Sequence, residues 1–132
     1  MPVKLISFPK ILDARGNLTF LQSPDILPFE MKRVFWLYDV PGGETRGAHA
    51  YKTQDEVIIC LSGSFDVIVT EPDGSQEKYH LNRPYYGLFI PAKTWRHIDN
   101  FSTNSVGLHL SSHTYDPADY IWDRNELKKL NL

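Results

Sequence analysis

Short runs of β-type residues, each closed by turn chemistry, follow one another to about residue 110 and leave no stretch for a long helix. Val3 to Phe8 alternates apolar and polar residues and stops at Pro9. Asn17 to Leu21 follows the turn signal Asp13-Ala14-Arg15-Gly16. Arg33 to Tyr38 (RVFWLY) is bulky on both faces, which predicts a strand covered on both sides, closed by Pro41-Gly42-Gly43. Glu56 to Leu61 and Phe65 to Thr70 flank Ser62-Gly63-Ser64 as a hairpin. Glu71-Pro72-Asp73-Gly74 has Pro and Gly at the second and fourth places of a tight turn. Gln76–Leu81, Tyr86–Ile90, Trp95–Asp99 and Val106–Leu110 complete the set. A helix is expected only at the end, where Asp123 to Glu126 caps Leu127 to Leu130. About ten short strands with turns between them predict an all-β sandwich or small barrel, and the jelly roll is the form that most often hosts enzyme sites.

The chain has 132 residues, which predicts a single domain over 1–132. At 42% hydrophobic and 13% aromatic it can bury a compact core. The formal charge of −2 lacks the basic footprint that a phosphate backbone requires, so nucleic acid is not an expected partner. No apolar run approaches the roughly 20 residues of a membrane span, and Lys4, Pro9 and Lys10 interrupt any leader-like start. No membrane partner is therefore expected, and the cytoplasm is the expected compartment. The single cysteine, Cys60, sits in the apolar run Val57–Leu61, which predicts a buried, inert thiol.

Residues 43–63 carry the chemistry. They read Gly43, five residues, His49-Ala50-Tyr51, four residues, Glu56, six residues, Gly63. Further on, Gly87 precedes Pro91, with Arg96 five residues after it and Asn100 four beyond that. These two segments resemble the paired motifs of the cupins, which implies a cupin-type jelly roll, or double-stranded β-helix. Metal-holding cupins use two histidines and a glutamate from the first motif and a histidine from the second. The matching positions here are His49, Tyr51, Glu56 and Arg96. An arginine has no lone pair to give a divalent ion and places a fixed cation where the ion's charge would be. Strand alternation aims the neighbouring His97 at the opposite face. No metal is expected.

Chemistry in such a pocket must then run by proton transfer or by binding. His49 and Tyr51 are two apart on one strand and share a face. Imidazole, with its pKa near neutrality, can remove a proton from a carbon beside a carbonyl, and a phenol can donate to the developing oxyanion. Arg46 and Arg96 can hold an enolate or a diphosphate by forked hydrogen bonds. Phe35, Trp36, Tyr38, Tyr85, Tyr86 and Trp95 supply rings for stacking a base or sugar. His80, His109 and His113 have no comparable context and are expected to be structural or surface residues.

Further features occur in order and span nearly the whole chain: Asp13-x-Arg15-Gly16-x-Leu18, Phe29-x-x-Lys32-Arg33-Val34, Arg46-Gly47-x-His49-Ala50, Cys60-Leu61-x-Gly63-Ser64, Trp95, Phe101-Ser102, and Tyr115-Asp116-x-x-Asp119-Tyr120-Ile121. Together they resemble the sugar-nucleotide 3,4-ketoisomerases, small cupins related to the WxcM-like group. The resemblance implies a dTDP-linked 4-keto-6-deoxyhexose as substrate, dTDP-4-keto-6-deoxyglucose, whose ketone moves from C4 to C3 through an enediol. It further implies a place in making 3-amino-3,6-dideoxy sugars for surface polysaccharide such as lipopolysaccharide. It implies no cofactor, and a homodimer with exchanged N-terminal strands. His49 carries over as the catalytic base, with Tyr51 where the family often has a second histidine. Arg15, Arg33, Tyr38, Arg46, Glu56, Trp95 and Arg96 are the expected substrate-binding residues. Two other readings remain open at the level of residues: a metal-free 3,5-epimerase, and a non-catalytic cupin that binds a sugar nucleotide.

Overall fold

The computed structural model describes residues 2–130, and these form two five-stranded antiparallel sheets lying face to face. The chain runs β1 (Lys4–Ser7), β2 (Lys10–Ile11), β3 (Leu18–Thr19), β4 (Arg33–Tyr38), β5 (Arg46–Tyr51), β6 (Glu56–Ser62), β7 (Phe65–Thr70), β8 (Gln76–Leu81), β9 (Tyr86–Ile90), β10 (Trp95–Asp99), β11 (Val106–Ser111) and β12 (Tyr120–Ile121), then α1 (Arg124–Leu130). The first sheet has the order β1-β9-β6-β11-β4 and the second β12-β5-β10-β7-β8, with β2 and β3 as a separate small ribbon. This is the cupin-type jelly roll with a short C-terminal helix that the motif resemblance implies.

Two apolar layers hold the first sheet. In β6, Ile58 and Cys60 point between the sheets and pack with Phe65, Val67, Leu88 and Ile98. The alternate residues Val57 and Ile59 point outward, where Phe8 and Leu27 of the N-terminal segment cover them together with Phe89 and Leu110. A central strand covered on both faces reads as an unbroken apolar run, which is why Val57–Leu61 does. Burial pushes the Cys60 thiol up, away from the reactive thiolate.

The edge strand β4 departs from expectation. Arg33, Phe35 and Leu37 face inward, but Val34, Trp36 and Tyr38 face out at 45%, 55% and 63% exposure. This face stays exposed and β4 ends its sheet, so its bulk marks a sheet edge rather than a doubly covered strand.

Two local features aim the site. The β5–β10 ladder shifts register by one residue between Arg96↔His49 and Ile98↔Arg46. Gly47 sits at that bulge with φ +67°, a conformation costly for a residue with a Cβ. At the other edge of β5, the short β12 pairs Tyr120 with Tyr51 and Ile121 with Ala50. Helix α1 follows directly, with the Asp123 carboxylate accepting from the Asn125 N–H at 2.9 Å as its cap and Leu127 buried beneath. No helix among the described residues is long and apolar enough to cross a membrane.

Candidate active site

Between the sheets lies a cavity of about 440 Å³ whose walls come from both. The second sheet contributes Arg46, Gly47, His49, Tyr51 and Ile98, and the first contributes Phe35, Leu37 and His109. Tyr120 and Trp122, after the last loop, close one side. The His49 ring meets the rings of Tyr51, Tyr120 and Trp122 edge-on, with centroids at 4.7, 5.2 and 5.6 Å. This aromatic collar holds the imidazole without using its nitrogens, and Nδ1 is buried with no hydrogen-bond partner among the described residues.

Directly opposite His49 on the neighbouring strand stands Arg96, whose side chain is 1% exposed. Its guanidinium lies 5.0 Å from the Tyr51 ring centroid, and Nη1 is 3.8 Å from Oε1 of Glu56. None of its three nitrogens has a hydrogen-bond partner among the described residues. A buried guanidinium with its donors unspent is a strong receptor for an oxyanion, because the desolvated donors gain most from a charged acceptor. On the far side of Glu56, Nδ1 of His109 is 3.2 Å from Oε2, and the His109 ring stacks on Phe35 at 4.4 Å and 15°.

The charges set each other. Burial and the Arg96 cation push His49 down to about 4, well below the ordinary histidine range, so the imidazole is neutral and able to accept a proton at physiological pH. Burial would raise Glu56, but His109, Arg96 and His49 together bring it to about 2, which keeps it ionised. The Tyr51 phenol is pushed up by burial and by the Glu56 charge, which makes it a donor rather than a base.

A second network fixes the phenols. Arg33 Nη2 is 3.5 Å from the Tyr51 hydroxyl, 3.4 Å from that of Tyr120 and 3.2 Å from Oε1 of Gln54. The Gln54 amide donates in turn to Asp119 at 3.1 Å. The same carboxylate accepts from the Thr53 N–H and hydroxyl at 3.0 and 2.7 Å and from the Gln54 N–H at 3.2 Å. Arg33 therefore sits at the cavity as the anchor of the Tyr51 and Tyr120 hydroxyls.

His49, Tyr51 and the exposed Arg46 line the cavity, and Arg33, Arg96 and Glu56 lie behind that lining, Arg33 and Arg96 against Tyr51 and Glu56 against Arg96. Three of the expected binding residues lie elsewhere in the single chain. Arg15 is on the turn between β2 and β3, 90% exposed and paired with Asp13 at 2.8 Å. Tyr38 is on the outer face of β4, in a shallow groove with Trp36. Trp95 lines a cleft with Lys93 and Arg124. His97 pairs with Asp99 at 3.6 Å, and His80 with Asp66 at 2.6 Å. His109, expected to be structural, lines the cavity, as do Tyr120 and Trp122. The one signal for His109 in the sequence is its parity: it alternates with Leu108 and Leu110, which face the outer layer. A larger cleft of about 770 Å³ lies on the outer face of the first sheet, but Lys10 and Arg83 are the only titratable residues along it besides Tyr85.

The family described as "FdtA: WxcM-like, C-terminal" matches residues 1–131. A TDP-4-oxo-6-deoxy-alpha-D-glucose-3,4-oxoisomerase from Aneurinibacillus thermoaerophilus is 38% identical over 129 residues, covering 98% of this chain and 92% of that protein. Among solved structures, the WlaRB TDP-quinovose 3,4-ketoisomerase from Campylobacter jejuni superposes with a TM-score of 0.90 at 39% identity, over 96% of this chain and 97% of that one. QdtA, a sugar 3,4-ketoisomerase from Thermoanaerobacterium thermosaccharolyticum solved with TDP, gives 0.92 at 37% identity, over 98% and 97%.

Proposed function

This chain belongs to the FdtA, WxcM-like C-terminal family, and on that premise we propose that it is a nucleotide-sugar 3,4-ketoisomerase acting on dTDP-4-keto-6-deoxyglucose. The observation that carries this reading is the rung His49–Arg96: a neutral imidazole lines the cavity, and a buried, unspent cation stands directly opposite it on the adjacent strand, behind the lining. His49 takes the C3 proton, and the C–H electron pair becomes the C3=C4 bond of an enediolate. Arg96 holds the charge that develops on oxygen, in a site where low polarity makes that stabilisation large. Tyr51, kept protonated, donates to the same oxygen. Glu56 orients the Arg96 guanidinium, while Arg33, Gln54 and Asp119 hold the phenols. The redox change is internal to the sugar. The donor set fits this better than a metal, since the metal-type donors His49, Glu56 and His109 form no metal-binding group among the described residues, and a permanent cation, Arg96, stands beside Glu56 and opposite His49. We place the product in the supply of 3-amino-3,6-dideoxy sugars for surface polysaccharide, and the protein in the cytoplasm, where a free Cys60 fits the reducing environment.

Incubation with dTDP-4-keto-6-deoxyglucose in heavy water tests the reading. The expected product is a 3-ketone carrying deuterium at C4. Deuterium at C3 and C5 with the 4-ketone retained means a 3,5-epimerase, and binding without turnover means a non-catalytic module.

The proposed assembly is a homodimer. Val34, Trp36 and Tyr38 form an exposed apolar row on an edge strand, and unpaired edges of this kind are commonly covered by another chain. Strand β1 pairs with β9 of its own chain, Lys4↔Phe89 to Ser7↔Tyr86, and exchange would hand the same register to the partner's β9. Light scattering at micromolar concentration is expected to give a dimer that Trp36→Glu converts to monomer. A monomeric native chain rejects the assembly.

A further inference from the structure

We propose that His109 is a second proton carrier of this reaction, working across the bound sugar from His49. This rests on the ketoisomerase reading and extends it. Moving a ketone between neighbouring carbons requires a proton to leave C3 and another to arrive at C4. His49 accounts for the first. Tyr51 is poorly suited to the second, because its hydroxyl stands beside Arg33 and Tyr120 and its burial resists ionisation.

His109 has the build of a working imidazole. It projects from β11 of the first sheet, whereas His49 projects from β5 of the second, so the two reach the cavity from opposite walls. The cavity they share has a volume of about 440 Å³, which leaves room for a sugar ring between them. One ring nitrogen, Nδ1, stands 3.2 Å from the ionised Glu56, close enough to pair by charge but outside hydrogen-bond geometry, and the ring face is stacked on Phe35. The other, Nε2, is buried with no partner among the described residues. A carboxylate on one nitrogen with the other left free is the arrangement that orients a histidine for proton transfer. A structural histidine at 5% exposure would be expected to spend both nitrogens.

The cycle balances. His49 begins neutral, and the proton destined for C4 is carried on Nε2 of His109. His49 takes the C3 proton; the C–H pair forms C3=C4, and the carbonyl π pair moves onto O4. The proton on O3 passes to O4. The O3 lone pair then forms C3=O, and the C3=C4 pair takes a proton at C4 from Nε2 of His109. His49 ends with one proton more and His109 with one fewer, and exchange with solvent resets both.

The experiment uses dTDP-4-keto-6-deoxyglucose and the full chain. With substrate deuterated at C3, in ordinary water, the wild-type product is expected to carry hydrogen at C4; transfer of the label from C3 to C4 overturns the proposal without any variant. His109→Asn keeps an amide donor toward Glu56 and removes Nε2. In heavy water it is expected to exchange the C3 hydrogen within a few-fold of wild type, while conversion to the 3-ketone falls at least about 100-fold. Conversion within about threefold of wild type overturns the proposal, and so does loss of exchange together with conversion. A wild-type chain that binds the nucleotide sugar and converts none of it overturns the ketoisomerase reading and this proposal with it; wild-type conversion with an unimpaired variant overturns this proposal alone.

Discussion

Turnover is expected to fall at least about 100-fold when His49 is replaced by asparagine, with binding of the nucleotide sugar little changed. The loss is chemical because the ring is held by aromatic edges, and its buried Nδ1 has no hydrogen bond to surrender. Tyr51→Phe removes only a donor and is expected to cost less, about tenfold if the phenol assists the oxyanion alone. The pH profile separates base from bystander. A base works deprotonated, so wild-type kcat/KM should hold down to about pH 4, where His49 titrates, and fall below it; that limb should be missing from any residual His49→Asn activity. Stability moves with the same proton. The unfolded imidazole titrates near 6.5 and the folded one near 4, so the unfolded state binds the extra proton between those values. The contribution is present above about pH 6.5 and is lost as pH falls toward 4, roughly 3 kcal/mol across that window. Chemical denaturation of the two proteins at pH 7 and pH 4.5 should show a shallower fall for the variant. Normal turnover in His49→Asn would move the base to another residue.

Arg96→Met is expected to lower kcat by about 100- to 1000-fold, the scale of losing a preorganised oxyanion donor. Methionine fills much of the volume and removes the charge. The Glu56 carboxylate is then left buried without the Arg96 charge, and stability should drop by about 3 kcal/mol, as when one partner of a buried pair is deleted. The signature that distinguishes charge from packing is again the acid limb. Arg96 is among the causes that hold His49 low, so its removal should raise the pH at which kcat/KM falls. Arg96→Lys keeps the charge without the fork and should recover part of the activity and keep the limb near its wild-type position. An Arg96→Met protein with wild-type turnover would end the assignment of the oxyanion to this residue.

Much of the fold was legible because a strand's period of two is written locally. The hairpin at Ser62–Ser64, the turn at Glu71–Gly74, the helix after Asp123 and the strands Gln76–Leu81, Tyr86–Ile90 and Trp95–Asp99 stand where turn chemistry and alternation put them. The pairs of residues too short for a pattern, β2 and β12, were not legible, since a two-residue strand exists only through its partner. Alternation also told that His49 and Tyr51 share a face. What only the tertiary structure decided is who meets whom. Glu56, Arg96 and His109 come from three strands, and parity gives each a face but no neighbour; register and sheet packing bring them within 4 Å. The same holds for the depressed His49, whose shift arises from burial and a cation 47 positions away in the chain, and for the β4 row, whose exposure follows from its place at a sheet edge. Local sequence encodes period and residue chemistry, and contact between distant strands is a property of the folded chain alone.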